Sequence, residues 1–156
     1  MSKCTLYNVH SAPCESHSQT ITLFYTTKNR TMTTQQAILT TQEVAARFNE
    51  LAQQEKWFQI QEEFFADNVK SIDPPQSPYM GYAEGKTAVR QKGEEFVSRI
   101  TDLHSAYTSE PIVTGNHFAV TRELDITVQP HGRIQMKEIM LYEVKDGQII
   151  SEQFFY

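Results

Sequence analysis

The feature that most constrains the fold is the C-terminal stretch 137–156, in which two apolar segments flank the pair Asp146-Gly147. A tight hairpin turn needs positive φ at both central positions, and Asp and Gly both tolerate it. The stretch therefore predicts two antiparallel strands, at about 135–145 and 148–155. Neither face of this hairpin is cleanly polar, so we expect other parts of the protein to cover both faces.

The alternation of side chains along a strand predicts which polar residues of the hairpin face the same way. With a two-residue turn, Glu138 and Gln153 share one face with Met140 and Tyr142. On that reading Glu143 and Glu152 face outward. The apolar residues of the outward face are Ile139, Leu141, Ile150 and Phe154.

Apolar residues at helical spacing predict three helices before the strands. The first spans about 35–54, a shorter second begins near Trp57, and the third opens after Gly85. A short strand at Val69 to Ile72 precedes two prolines, and the chain beyond Ser105 predicts only strands. Helices followed by a run of antiparallel strands are typical of an α+β layer fold.

The turn before the hairpin sets the register of the preceding strand. If it takes five residues, about 129–133, Asp125 lies opposite Lys137, which is a favourable pair of opposite charges. Arg122 and Glu138 then lie on the more apolar face. A slip of one residue would reverse the faces of the strand that holds Arg122.

Composition narrows the class of protein. A chain of 156 residues with 39% hydrophobic and 21% charged residues is typical of one soluble domain. The net charge of -5, without a Lys/Arg cluster, argues against nucleic acid, and no apolar run approaches a membrane span. Cys4 and Cys14 cannot build a disulfide framework for the domain, and the histidines lack metal-ligand spacing. We expect a cytoplasmic protein without a metal site or cofactor.

Residues 1–31 differ from the rest in being rich in Ser and Thr without sustained periodicity. They make a poor signal peptide. We interpret them as a disordered extension or the product of an upstream start site, and we place the folded domain at 32–156.

The segments "FFADNVKSIDP", "GYAEGKTAVRQKGEEF" and "YEVKDGQIISEQFF", in this order after two helices, resemble the SnoaL-like branch of the nuclear-transport-factor-2-like superfamily. The resemblance covers about residues 35–156 and rests on element order, element lengths and the terminal hairpin together. It implies a cone-shaped, strongly curved, mostly antiparallel sheet wrapped by three helices in the N-terminal half, as in cystatin-like folds. It also implies a pocket between sheet and helices and a second subunit on the outer face.

SnoaL-type polyketide cyclases, by this resemblance, use an acidic residue as acid and base without a metal or organic cofactor. Glu138 and Asp73 are the candidates here. A carboxylate on an apolar face has its charged form disfavoured, which would raise the pKa of Glu138 toward neutral pH. The alternative interpretations are that Glu138 simply pairs with Arg122, and that Asp73 is a turn residue before two prolines.

The segment "SIDPP" also resembles the Asp-Pro segment of ketosteroid isomerases, whose aspartate removes a proton next to a carbonyl. By that match Asp73 would be the base. The hydrogen-bond donors of those enzymes would fall at Phe48 and near Met140, and neither side chain can donate. We therefore do not expect steroid isomerisation by that route.

Two classes of function are consistent with these sequence features. One is a cofactor-independent cyclase, isomerase or dehydratase, and the other is a non-catalytic homodimeric domain that binds a small apolar or aromatic ligand. The residues expected to line the pocket are Arg122, Tyr142, Gln153, Met140, Phe48, Trp57 and His104. The residues expected in the dimer interface are Ile139, Leu141, Ile150 and Phe154.

Overall fold

Reciprocal hydrogen bonds between Thr40 and Glu43 set the start of the first helix. In the computed structural model, which describes residues 37–77 and 81–156, the Thr40 backbone N–H donates to Glu43 Oε2 at 2.8 Å. The Glu43 backbone N–H donates to Thr40 Oγ1 at 3.3 Å. This capping box satisfies two helix-end donors, so helix α1 spans Thr41–Ala52 and starts later than predicted.

The remaining elements follow in the predicted order of helices, a short strand, a third helix and then strands. Helix α2 is Trp57–Phe64, strand β1 is Phe65–Ile72, β2 is Ala83–Glu84 and helix α3 is Lys86–Ser98. The later strands are β3 (Ile100–Thr108), β4 (Ile112–Thr114), β5 (His117–Val128), β6 (Gly132–Lys145) and β7 (Gln148–Phe155).

The seven strands form one sheet in the order β2-β1-β7-β6-β5-β3, with β4 paired to β5. Strands β1 and β7 run parallel, and the other pairs are antiparallel. The main core lies between the helices and one face of this sheet, and its fully buried members include Val44, Phe48, Ile60 and Phe118. The α+β prediction of three helices and a mostly antiparallel sheet is confirmed.

The terminal hairpin has the predicted turn but an unpredicted bulge. Asp146 and Gly147 have φ of 52° and 77°, as the tight turn requires. Val144 pairs with Ile149, whereas Glu143 pairs with Ser151, so β7 carries one residue more than β6 across this step. Because side chains alternate, one extra residue reverses the faces of everything that follows it.

The bulge corrects three predictions on β7. Glu152 pairs with Tyr142 and Phe154 pairs with Met140, so both belong to the inner face that packs toward the helices, and both are buried. Gln153 pairs with Leu141 and belongs to the outer face. The assignment of Gln153 to the pocket is wrong, and so are the outward assignments of Glu152 and Phe154.

The turn between β5 and β6 is shorter than predicted. Val128 pairs with Gly132, which leaves three residues in the turn, and Lys137 pairs with Glu123 instead of Asp125. The Lys137 ammonium lies 3.0 Å from the Glu123 carboxylate. A shift of two residues leaves each side chain on its face, so Arg122 and Glu138 share the inner face as predicted.

The outer face of the sheet exposes apolar side chains. Ile139 is 49% exposed and its cross-strand neighbour Phe155 is 47% exposed. Leu141 and Ile150 are half-buried. Phe155, and not Phe154, is therefore the aromatic residue that β7 contributes to this face.

Some predictions fall on residues 1–31, which lie outside the described residues. Within 37–77 and 81–156, no helix is long and apolar enough to cross a membrane. The same residues contain no group of acidic, His or Cys side chains arranged to hold a metal ion.

Candidate functional site

A cavity of about 410 Å³ lies between helices α2 and α3 and the inner face of the sheet. Most of its wall is apolar, because the strands place alternate side chains on this face and the helices contribute their apolar stripes. Its apolar lining includes Trp57, Val89, Phe96, Leu124, Met140 and Phe154. Five charged side chains also reach it: Glu55, Lys92, Arg122, Glu138 and Glu152.

The structure brings four of the predicted lining residues to the cavity, namely Trp57, Arg122, Met140 and Tyr142. Phe48 is a correction, because it lies in the core beside the cavity. Its ring centroid is 4.7 Å from that of Tyr142 and 5.9 Å from that of Trp57. Phe48 thus supports two cavity residues from behind without lining the cavity itself.

His104 is also outside the cavity lining. Strand β3 has an irregularity at this point, since Leu103 pairs with Ile126 and Ser105 pairs with Asp125. Leu103 therefore takes the cavity position, while His104 is exposed, with its Nε2 2.8 Å from Thr127 Oγ1. An extra residue in a strand is not visible in the sequence pattern, so the prediction for His104 was wrong.

The buried guanidinium of Arg122 is held by Glu55, a residue that the sequence did not indicate. Its Nη2 and Nη1 donate to Glu55 Oε2 and Oε1 at 2.7 and 3.3 Å, and Nη1 donates to Thr108 Oγ1 at 2.9 Å. The guanidinium also lies 4.2 Å from the centre of the Trp57 ring, and Trp57 Nε1 donates to Glu55 at 2.8 Å. Three interactions therefore fix this cation in place.

Glu55 follows α1 in the left-handed region, with φ of 55°. This conformation is uncommon for a residue other than glycine, and such residues are often found at functional sites. Partial burial acts to raise the pKa of Glu55, but hydrogen bonds from Arg122 and Trp57 outweigh it and hold the pKa below its ordinary value. Glu55 thus stays ionised as the partner of Arg122.

Glu138 is a cavity carboxylate that has no partner among the described residues. It lies directly opposite Arg122 in the register of β5 and β6, yet among the described residues it forms no ion pair or hydrogen bond. Burial raises the pKa of Glu138 to about 7, assisted by the negative charges of Asp73 and Glu152 and opposed by the positive charge of Arg122. The interpretation that Glu138 pairs with Arg122 is wrong, because Glu55 occupies the guanidinium.

A second carboxylate, Glu152, reaches the cavity from β7. Ser71 Oγ donates to its Oε1 at 2.6 Å, and the Lys92 ammonium donates to Ser71 Oγ at 2.7 Å. Burial is the largest influence and raises the pKa of Glu152 to about 7, while the Ser71 hydrogen bond and the Lys92 charge oppose the increase. The negative charge of nearby Asp73 raises the pKa of Glu152 further.

Asp73 is buried beside the cavity, not in its lining. One carboxylate oxygen accepts from Lys92, and the other accepts from the Tyr156 hydroxyl at 3.1 Å. Both oxygens are therefore used by other side chains. This arrangement supports a structural and electrostatic role for Asp73, and it leaves the carboxylate poorly placed to take a proton from a ligand.

The charged side chains in and beside the cavity thus form two ion pairs, and two further carboxyls belong to neither pair. Arg122 is matched by Glu55 and Lys92 is matched by Asp73. Glu138 and Glu152 remain, and both have a pKa of about 7. These two groups can gain or lose a proton near neutral pH inside an apolar cavity, which is the property that a general acid or base requires.

Comparison with known proteins assigns the family. A model of the SnoaL-like domain matches residues 39–156. A crystal structure from Mesorhizobium loti is 34% identical over 76% of this chain and 100% of that chain, with a TM-score of 0.71. The chain belongs to the SnoaL-like family. The Mesorhizobium protein is described provisionally as a SnoaL-like polyketide cyclase, with carbohydrate phosphatase as a second description.

More distant structures share the fold of this SnoaL-like protein. A nuclear-transport-factor-2-like protein of unknown function from Burkholderia pseudomallei is 16% identical, with a TM-score of 0.60, over 76% of this chain and 92% of that one. A protein with a cystatin-like fold from Xanthomonas campestris is 15% identical, with a TM-score of 0.59, over 75% and 90%. No curated protein matches the chain in sequence.

Proposed function

We propose that this SnoaL-like protein is a proton-transfer enzyme of the cyclase, isomerase or dehydratase type, with a small, mostly apolar ligand in the cavity and Glu138 as the catalytic carboxylate. Such reactions need a base near an acidified C–H bond and no cofactor to carry electrons or groups. The observation that carries the proposal is the unpaired Glu138 carboxylate, buried among apolar residues with a pKa of about 7.

The walls of the cavity favour the same kind of ligand. Apolar side chains dominate them, while the Arg122 and Lys92 charges are already matched by carboxylates. An anionic ligand would have to displace one of these partners and approach two further acids. A neutral molecule with one or two polar atoms fits the cavity better.

Exchange of ligand protons with solvent tests the proposal without knowledge of the natural substrate. The compact apolar ketone 2-tetralone has acidic protons beside its carbonyl group, and NMR in D₂O follows their replacement. We expect the protein to accelerate the exchange above the buffer rate and Glu138→Gln to lose about 10²-fold or more, as is usual for loss of a general base.

Trp57 provides the accompanying binding measurement. It is the single tryptophan of the chain and it lines the cavity, so quenching of its fluorescence reports occupancy. Glu143→Gln is the matched control, because Glu143 lies on the same strand but on the outer face. Apolar ketones that quench Trp57 yet show no protein-dependent exchange would contradict a proton-transfer function.

A second candidate is a non-catalytic domain that binds a small apolar ligand. It is favoured by the resemblance to ketosteroid isomerases, which places the hydrogen-bond donors of those enzymes at Phe48 and near Met140, where neither side chain can donate. Under this alternative, Trp57 quenching is retained in Glu138→Gln and the wild-type protein leaves the ligand protons unexchanged. The exchange experiment therefore separates the two candidates.

We also propose that the outer sheet face forms a homodimer interface. Ile139 and Phe155 lie side by side on β6 and β7, and each exposes about half of its surface. Leu141 continues the same face. Exposed apolar neighbours of this kind mark protein interfaces, and a standard interface would bury about 800 Å² on each subunit.

A further inference from the structure

Glu152 shares the inner face of the sheet with Glu138 but differs from it in surroundings. Its Oε1 accepts a hydrogen bond from Ser71, whereas Glu138 accepts none from the described residues. No further hydrogen bond from these residues reaches Glu152 Oε2. That oxygen can therefore carry a proton while Oε1 keeps its bond to Ser71.

Glu138 and Glu152 lie at opposite ends of one stretch of the cavity wall, on the neighbouring strands β6 and β7. Glu152 pairs with Tyr142, and Glu138 lies four residues before Tyr142 on β6. The two backbone positions are thus about 13 Å apart along the strands. Met140 and its partner Phe154 lie between them and line the cavity. A small ligand resting on this apolar pair would lie between the two carboxylates, within reach of both side chains.

A chain of polar side chains connects Glu152 to the surface. The Lys92 ammonium donates to Ser71 Oγ at 2.7 Å, and Ser71 donates onward to Glu152 at 2.6 Å. Lys92 is also paired with Asp73, which accepts from the hydroxyl of Tyr156, a residue that is 37% exposed. The bonds from Lys92 through Ser71 point toward Glu152, which is the direction needed to return a proton to it.

We propose that Glu152 is a second catalytic residue, the acid that gives a proton to the ligand while Glu138 takes one from it, and that the substrate is a neutral, apolar, enolisable carbonyl compound. The proposal rests on the proton-transfer function assigned above. Glu138 forms an O–H bond as the C–H bond next to the carbonyl breaks. The electron pair of that bond forms a C=C bond, and the carbonyl oxygen takes the proton that leaves Glu152.

This step leaves the total number of protons on the protein unchanged, since one carboxyl has gained what the other has lost. The enol returns to a carbonyl compound when its carbon takes a proton from Glu138 and its O–H proton returns to Glu152. The ligand exchanges hydrogen with solvent because Glu138 exchanges its proton with water while the enol is bound, and the Lys92-Ser71 chain lets Glu152 exchange its proton with the surface. Neither an oxidant nor a cofactor enters the balance.

The charged and titratable groups around Glu152 come from several elements. Asp73 follows β1, Lys92 is on α3, Arg122 is on β5, Glu138 and Tyr142 are on β6, and Tyr156 follows β7. Lys92 favours the ionised form of Glu152 and Asp73 disfavours it. Burial raises the pKa of Tyr142 well above its ordinary value, and the pKa of Tyr156 is raised to about 12, so both stay neutral across the working range.

The test measures α-proton exchange of 2-tetralone in D₂O from pH 5 to 9, for the wild type, Glu138→Gln, Glu152→Gln and the control Glu143→Gln. Trp57 quenching by 2-tetralone confirms binding in each. We expect a bell-shaped profile for the wild type and the control. Glu152→Gln should lose at least tenfold in rate and lose the alkaline limb, because the amide cannot donate a proton. Glu138→Gln should lose nearly all exchange.

The outcomes separate the inference from the function on which it rests. If Glu152→Gln stays within twofold of the wild type and keeps the bell shape, Glu152 is not the acid, although Glu138 remains the base. If Glu138→Gln keeps the wild-type rate, or the wild type exchanges nothing that it binds, the proposed function fails and the inference fails with it.

Ser71→Ala covers the case in which Glu152→Gln does not fold. It retains the Glu152 carboxyl but removes the hydrogen bond that stabilises its charged form. The alkaline limb should therefore move to higher pH. An alkaline limb that does not move in Ser71→Ala would overturn the assignment of that limb to Glu152.

Discussion

The buried carboxyl of Glu138 should make the protein more stable in mild acid than in mild base. Its pKa rises from an ordinary 4.5 to about 7 on folding, so between these values the folded protein holds a proton that the unfolded chain releases. Stability therefore falls as pH rises through this interval and levels off above it. Across this interval the free energy of unfolding falls by about 3 kcal/mol, at about 1.4 kcal/mol for each pH unit.

Replacing Glu138 by Gln removes the part of this pH dependence that comes from Glu138, while Glu152, whose pKa burial also raises to about 7, contributes its own part in both proteins. At pH 5 the neutral amide resembles the protonated carboxyl in shape, so we expect the free energy of unfolding to change by about 1 kcal/mol or less. At pH 8 the wild type carries a buried charge and the variant does not. The variant should then be the more stable protein, by about 2 to 3 kcal/mol.

Urea denaturation at pH 5 and pH 8 measures both differences, with Glu143→Gln as the control for removal of a carboxylate from the outer face. Both differences require that Arg122 is paired with Glu55 and not with Glu138. If Glu138→Gln destabilised the protein by about 3 to 5 kcal/mol at both pH values, Glu138 would be the structural partner of Arg122. That result would refute the account of the carboxylate.

Three further predictions follow from other parts of the structure. Glu55→Ala should lower the free energy of unfolding by about 2 kcal/mol in urea denaturation, because it leaves the buried Arg122 guanidinium without its anion. The loss should be smaller than for a fully buried pair, since Glu55 is half-exposed. An unchanged midpoint would count against this pairing. Ile139→Lys combined with Phe155→Glu should give a folded monomer by light scattering, and a monomeric wild type at micromolar concentration would exclude the dimer. A shortened chain that begins at Met32 should keep its Tm within about 4 °C of the full chain, because the described core lies after that residue; a larger drop would show that residues before it contribute to stability.

Local sequence pattern was enough to predict the fold. The helical stripes, the order of elements and the Asp146-Gly147 turn each depend on local sequence, and all agree with the structure. The start of α1 could also have been predicted, since Thr40 and Glu43 have the spacing of a capping box. The predicted faces of β5 and β6 are correct although the predicted register was wrong by two residues, because a shift of two residues leaves each side chain on the same face of the sheet.

The composition of the cavity was harder to predict for a physical reason. A single extra residue near Ile150 exchanges the faces of β7, and no residue type there signals a bulge. Glu152 was therefore missed. Glu55 was missed because it is 67 residues from Arg122 in sequence, and the two meet only because the connection between α1 and α2 lies against β5 in the folded protein. Side chains brought together by tertiary packing leave no local pattern.

The most direct test of the central claim is a pH titration of the glutamate side-chain carboxyls by ¹³C NMR, with Glu138→Gln and Glu152→Gln used to assign the resonances. Two glutamate carboxyls, those of Glu138 and Glu152, should titrate near pH 7 in the folded protein. Loss of either charge should lower the midpoint of the other. A Glu138 carboxyl that titrates near 4.5 would contradict the claim that this cavity holds a proton-transfer group poised at neutral pH.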